Sequence, residues 1–120
     1  MLKSKHLIGL EHFPISDLNK IIDTSFKFKE ILHTESRKSI LLKGKTIVNM
    51  FFENSTRTKI SFSLAEKRLG ADSINVSAST SSVKKGETLK DTVQNIESMK
   101  IDGAVIRHGH PGSALKLTEY

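Results

Sequence analysis

The sequence has 120 residues, one domain's worth or part of a larger domain, with 19 Lys plus Arg against 13 Asp plus Glu and a formal charge of +6. Apolar residues at 37% and charged residues at 27% exclude an acidic disordered tail and a low-complexity chain. Zero Cys excludes a disulfide scaffold, a cysteine nucleophile and any thiolate metal site.

In chain order, the first ten residues carry two lysines but no adequate apolar stretch and no small-residue cleavage site, so they make a poor signal peptide. No later apolar run approaches the roughly 20 residues of a membrane helix. A cytoplasmic protein with no membrane partner is expected. Ser16, just after Pro14, reads as an N-cap. Leu18, Ile21, Ile22, Phe26, Ile31 and Leu32 then recur at helical spacing, which predicts a helix over about 16–33. Lys43-Gly44-Lys45 reads as a turn. The period then changes: 46–52 is short and rich in β-formers, and predicts a buried strand. A polar loop, 53–57, leads into a helix over 58–69 that stops at Gly70, a natural C′ residue. Residues 72–77 alternate polar and apolar and predict a second strand. A polar loop over 78–87 follows, and Thr88 to Asp91 matches a capping box. Leu89, Val93, Ile96 and Met99 mark the apolar stripe of a third helix. Residues 102–107 predict a third strand, and 111–113 open a last helical segment toward Tyr120.

Strand, helix, strand, helix, strand, helix implies an α/β fold, a parallel sheet with flanking helices and right-handed crossovers. Such sheets bind ligands beyond the carboxyl ends of their strands. The first strand is followed by Ser55-Thr56-Arg57-Thr58 where a helix begins, the second by a Ser-rich loop with Lys84 and Lys85, and the third by Arg107-His108. Three loops rich in hydroxyls and cations suit a small anion, with phosphate the obvious candidate. Helix N-termini add unpaired N–H groups and a partial positive charge. Arg57 adds bidentate, charge-assisted donors. Read alone, each feature has a blander account: an ordinary Ser/Thr cap, a flexible Ser-rich loop, a solvated lysine pair. Neither a Walker loop nor a Rossmann glycine fingerprint is present. His108 and His110 without a third ligand make a weak site, so no metal is expected.

The basic excess lies in the first half, where residues 1–60 hold 11 basic and 6 acidic residues against 8 and 7 in 61–120. The chain has only 4 Arg and none of the common nucleic-acid-binding signatures. A solvated lysine-rich face is the better account, and no nucleic-acid partner is expected.

The wider string Phe51-Phe52-Glu53-Asn54-Ser55-Thr56-Arg57-Thr58, followed by Ser61-Phe62 and Arg68-Leu69-Gly70-Ala71, resembles the phosphate-binding segment of the aspartate and ornithine carbamoyltransferases. Residues 81–92, with Lys84-Lys85-Gly86-Glu87-Thr88, are similar to the mobile loop and following helix of the aspartate enzymes. Residues 105–108 are similar to the same family's third strand end. The resemblance is tight over about 46–108 and favours aspartate over ornithine as acceptor.

The resemblance implies roles for single residues. Ser55, Thr56, Arg57 and Thr58 would cradle the phosphate of carbamoyl phosphate, and Thr58 and Arg107 would also reach its carbonyl oxygen. The catalytic set is Arg57, Thr58 and Arg107. Ser81 and Lys85 match positions that enter a neighbouring subunit's site, and Lys85 would touch both phosphate and L-aspartate. Glu53 matches a residue that holds two domains together on closure. The implied reaction is carbamoyl transfer to the α-amine of L-aspartate, giving N-carbamoyl-L-aspartate and phosphate, an early step of pyrimidine biosynthesis. It needs no cofactor. A homotrimer with shared sites is implied, and a regulatory chain is admitted. The alternatives are an ornithine carbamoyltransferase or a non-catalytic phosphate-binding fragment.

Two positions depart from the family pattern: Lys59 stands where Arg is usual, and Ser63 where Glu is common. Residues 1–120 are expected to be a truncated N-terminal carbamoyl phosphate-binding domain. The aspartate-binding domain and one further strand would then lie outside this chain, and 120 residues alone would be inactive.

Overall fold

The computed structural model describes residues 2–77, 89–109 and 112–119, in two compact units, 1–38 and 39–120. In the first, helix α1 spans Ile15–Ile31. The N-cap is Pro14, not Ser16: Pro14 holds φ −58 and ψ 133, and its carbonyl accepts from Leu18 N at 3.0 Å. Proline's fixed φ suits the entry into a helix, so the first turn closes two residues earlier than a cap at Ser16 would place it. No side chain caps this end. Asp17 in the first turn is buried and turns away from the helix. Its carboxylate accepts from Lys3 N at 2.9 and 3.0 Å and from Ser4 N at 2.8 Å, tying the N-terminal segment down.

The second unit is built on a three-stranded parallel sheet. Strand β1 (Thr46–Phe51) is central, with β2 (Asp72–Ser77) and β3 (Gly103–Arg107) on either side. Val48 pairs with Ile74 and Ala104, and Phe51 with Ser77 and Arg107. A central parallel strand is covered on both faces, which is why 46–52 reads as a continuous apolar run. Val48, Met50 and Phe51 are buried accordingly.

Helix α2 (Thr56–Arg68) returns the chain from β1 to β2. Gly70 ends it at φ +89. Helix α3 (Leu89–Glu97) leads from β2 to β3 on the far side of β1. The two crossovers step in opposite lateral directions, an arrangement that in right-handed crossovers puts the two helices on opposite faces of the sheet. The chain therefore switches direction between β1 and β3, the place where parallel sheets of this kind bind ligands. Met99, read as part of the α3 stripe, lies past the helix and is 74% exposed, while Thr92 is buried in its place. Helix α4 (Ser113–Leu117) closes the described chain, shorter than the segment expected to reach Tyr120. The proposed cap at Thr88 and the loop at 78–87 lie outside the described residues.

Candidate anion-binding site

At the switch point, β1 and β3 stay zipped one residue beyond β1, where Phe52 N donates to Arg107 O at 2.8 Å. This bond fixes the backbone of Arg107 beside the loop that enters α2. Helix α2 begins at Thr56, two residues earlier than the composition suggested, with Ser55 as its N-cap. Ser55-Thr56-Arg57-Thr58 is thus the cap and first turn of the helix. Polar residues that read as loop by composition serve here as an N-terminus.

Ser55 does not cap with its side chain. Its hydroxyl instead accepts from Arg107 Nη1 at 3.0 Å, and the Thr58 hydroxyl accepts from the same nitrogen at 3.3 Å. Arg107 Nε donates to Glu53 Oε2 at 3.0 Å. One guanidinium therefore crosses from the end of β3 to both ends of the β1–α2 loop. The first-turn N–H groups of α2, which have no intrahelical acceptor, keep their donor capacity. Together they present hydroxyls, a cation and the positive end of a helix to one point. The Glu53–Arg107 pair is about half exposed, with side chains at 40% and 45%. Water screens such a pair, and it holds with no more than about 1 kcal/mol.

Thr56 and Arg57 are exposed on the same turn, and neither side chain makes a hydrogen bond or ion pair among the described residues. Ser81 and Lys85 lie outside those residues. The structure thus brings together Glu53, Ser55, Thr58 and Arg107, and carries Thr56 and Arg57 beside them on one helix turn.

His108 follows Arg107 and is held from two sides. Its Nδ1 lies 3.1 Å from Ser113 Oγ at the start of α4, and its ring meets Phe52 at 5.3 Å and 57°. It supports the β3 exit. A groove of about 290 Å³ along α2, lined by Lys59, Ile60, Ser63, Leu64, Lys67 and Asn75, includes neither Ser55 nor Arg107.

Sequence reasoning missed a second polar cluster beneath α2. Asn49 Nδ2 donates to Glu66 Oε1 at 2.8 Å and lies 3.1 Å from Asn75 Oδ1 and 3.3 Å from Ser73 Oγ. Ser73 Oγ donates to Glu66 Oε1 at 2.7 Å and sits 3.1 Å from Ser63 Oγ. The one available signal was Asn49 itself, a polar residue inside an apolar strand.

An anion cradle at the switch point of a parallel α/β sheet, built from a helix cap and an arginine on the neighbouring strand, defines a phosphate-binding α/β domain. The chain matches the aspartate/ornithine carbamoyltransferase carbamoyl-P binding domain over residues 5–120, and it belongs to that family. It is 52% identical over 118 residues to the aspartate carbamoyltransferase catalytic subunit of Flavobacterium johnsoniae, covering 98% of this chain and 38% of that one. A similar match, 51% over 119 residues, links it to the catalytic subunit of Christiangramia forsetii, covering 99% of this chain and 38% of the relative. Among solved structures, the catalytic subunit of M. jannaschii aspartate transcarbamoylase superposes with a TM-score of 0.86 at 40% identity, over 98% of this chain and 38% of that one. The Trypanosoma cruzi aspartate transcarbamoylase in complex with carbamoyl phosphate and aspartate gives 0.80 at 31% identity, over 91% and 33%. The chain thus spans about 38% of the length of the curated relatives it matches.

Proposed function

We propose that this chain supplies the carbamoyl phosphate-binding part of an aspartate carbamoyltransferase, working in the cytoplasm on pyrimidine biosynthesis. The observation that carries the reading is the Arg107 guanidinium, 3.0 and 3.3 Å from the hydroxyls of Ser55 and Thr58 at the start of α2. Relatives at about half identity, all aspartate enzymes among those compared above, favour aspartate over ornithine as acceptor.

In this reading the phosphate sits over the first turn of α2, bound by its N–H groups and by Ser55, Thr56, Arg57 and Thr58. The carbamoyl oxygen faces Arg107 and Thr58. The α-amine of aspartate attacks the carbonyl carbon, negative charge builds on that oxygen, the C–O bond to phosphate breaks, and the departing phosphate takes the proton that the amine gives up. Fixed donors aimed at the oxygen lower the barrier, each raising the rate by a factor of about 10²–10³. Holding two small substrates in register supplies much of the remainder. Ser81 and Lys85 reach the site from a neighbouring subunit of a trimer, and Lys85 binds both substrates. Glu53 joins this domain to the aspartate-binding domain on closure.

Arg57→Ala in the full-length chain tests the reading. Carbamoyl-aspartate formation is expected to fall by more than about a hundredfold. Activity unchanged by that substitution removes the site assignment.

A further inference from the structure

The inner face of α2 departs from the usual apolar packing of a helix on a parallel sheet. Its buried residues are Ser63 and Glu66, and the β1 residue beneath it is Asn49, with 0% exposure. Helix and strand are joined there by directional bonds, the shortest being Ser73 Oγ to Glu66 Oε1 at 2.7 Å and Asn49 Nδ2 to Glu66 Oε1 at 2.8 Å. Apolar contacts tolerate sliding and rotation. Hydrogen bonds of fixed length and angle do not.

The cluster is also imperfect as a stabilising device. Glu66 Oε2 and Asn49 Oδ1 are buried without a partner among the described residues. Asn49 has three acceptors within reach for two amide hydrogens. Partly satisfied buried polar groups are generally no more stabilising than apolar side chains of the same volume. Stability alone gives little reason for this arrangement, whereas position gives one. Asn49 lies just before the phosphate loop and Glu66 on the helix just after it. Their bond closes the strand–loop–helix unit from below.

We propose that Asn49 and Glu66 are positioning residues for the anion site, a clamp that sets the rotation and height of α2 so that Ser55 and Thr58 meet Arg107. This rests on the phosphate-site reading above. Glu66 lies two to three helical turns from Thr58, so it acts through the helix axis and not by touching ligand.

The test compares Asn49→Leu/Glu66→Met, Glu66→Gln and Arg57→Ala in the full-length chain, by melting temperature and carbamoyl phosphate dissociation constant. The double apolar variant is expected to melt at or above the parent temperature yet bind carbamoyl phosphate about 10- to 100-fold more weakly, the scale of a misplacement near 1 Å. Glu66→Gln keeps the Oε1 acceptor and is expected to stay within about threefold of the parent. A folded double variant with parental affinity overturns the proposal, as does a Gln variant as weak as the double. Should the double variant fail to fold, Ser73→Ala, which deletes the 2.7 Å bond to Glu66 and the longer contacts of the same hydroxyl with Asn49 and Ser63, decides: severalfold weaker binding supports the clamp, and parental binding overturns it. Arg57→Ala separates the two readings. Loss of binding in Arg57→Ala with normal binding in the clamp variants condemns the clamp alone, and normal binding in Arg57→Ala condemns the phosphate site beneath it.

Discussion

Arg107 divides its donors between two hydroxyls that would help bind an anion and one carboxylate that competes with it. Glu53 lies about half exposed, so its hold on Arg107 is weak and a phosphate dianion can displace it. Glu53→Gln removes the competing charge but keeps an oxygen acceptor. Inorganic phosphate is expected to bind about two- to fivefold more tightly to that variant, the range an exposed ion pair can supply. Titration calorimetry showing equal or weaker binding would remove Glu53 from the balance. A second carboxylate has the opposite character. Asp17 is buried, and its pKa lies below the ordinary aspartate value. The main cause is the Lys3 backbone N–H, opposed by burial and aided by Ser4 and Lys20. A folded-state pKa lower than the unfolded one means that the ionised form is the one folding favours. The attachment of residues 2–4 to α1 is therefore fully present above the ordinary aspartate range. It is lost as the pH falls through the lowered value. Asp17→Asn is expected to speed amide exchange at Lys3 and Ser4 at neutral pH and to abolish the acid-side dependence. Unchanged exchange at those two amides would show that the carboxylate does not hold the segment.

At the scale of elements, two turns that both enter the left-handed region hold opposite residues. Gly70 ends α2 at φ +89, and Lys100 follows α3 at φ +62. A Cβ at position 70 would meet Ser39 O at 3.2 Å in addition to the left-handed strain. Gly70→Ala is expected to destabilise the fold by about 1–2 kcal/mol, and Lys100→Gly to stabilise it by up to about 1 kcal/mol. Chemical denaturation of both variants checks the signs. The Gly70 stop was legible in the sequence because a helix C′ has a strong residue preference. The three strands were legible for a related reason: short β-rich runs between helical segments leave few alternatives. Helix starts were less so. Thr56 and Arg57 look like loop by composition, and only the backbone at Ser55 shows that the helix has begun. The loops after β1 and β3 announced an anion site through their residue types, yet nothing local paired Arg107 with Glu53, 54 positions away. The Asn49–Glu66 bond was invisible for the same reason. Glu66 looks like the solvent face of a helix until the sheet beneath it supplies Asn49 and Ser73.

For the whole molecule, the anion site leaves Thr56 and Arg57 exposed on one side. Arg57 is exposed beside a cradle that lies between β1 and β3, and Lys85 is the residue that the family resemblance would bring to phosphate and aspartate. The proposed trimer would complete this site in trans, with Lys85 supplied by a neighbouring chain. Cyclic trimers join unlike surfaces, so each site would take Arg57 from one chain and Lys85 from the next. This makes a quantitative prediction. Full-length Arg57→Ala and Lys85→Ala chains are each expected to be inactive. When the two are unfolded, mixed in equal amounts and reassembled, a site is restored where a chain with intact Arg57 precedes a chain with intact Lys85. Each condition holds half the time, so about one site in four should recover. Sites complete within one chain would recover none, because every chain lacks one cation. Activity near a quarter of the parent level in the mixture, absent from either variant reassembled alone, therefore distinguishes shared from self-contained sites. It does so without depending on how tightly either variant binds substrate.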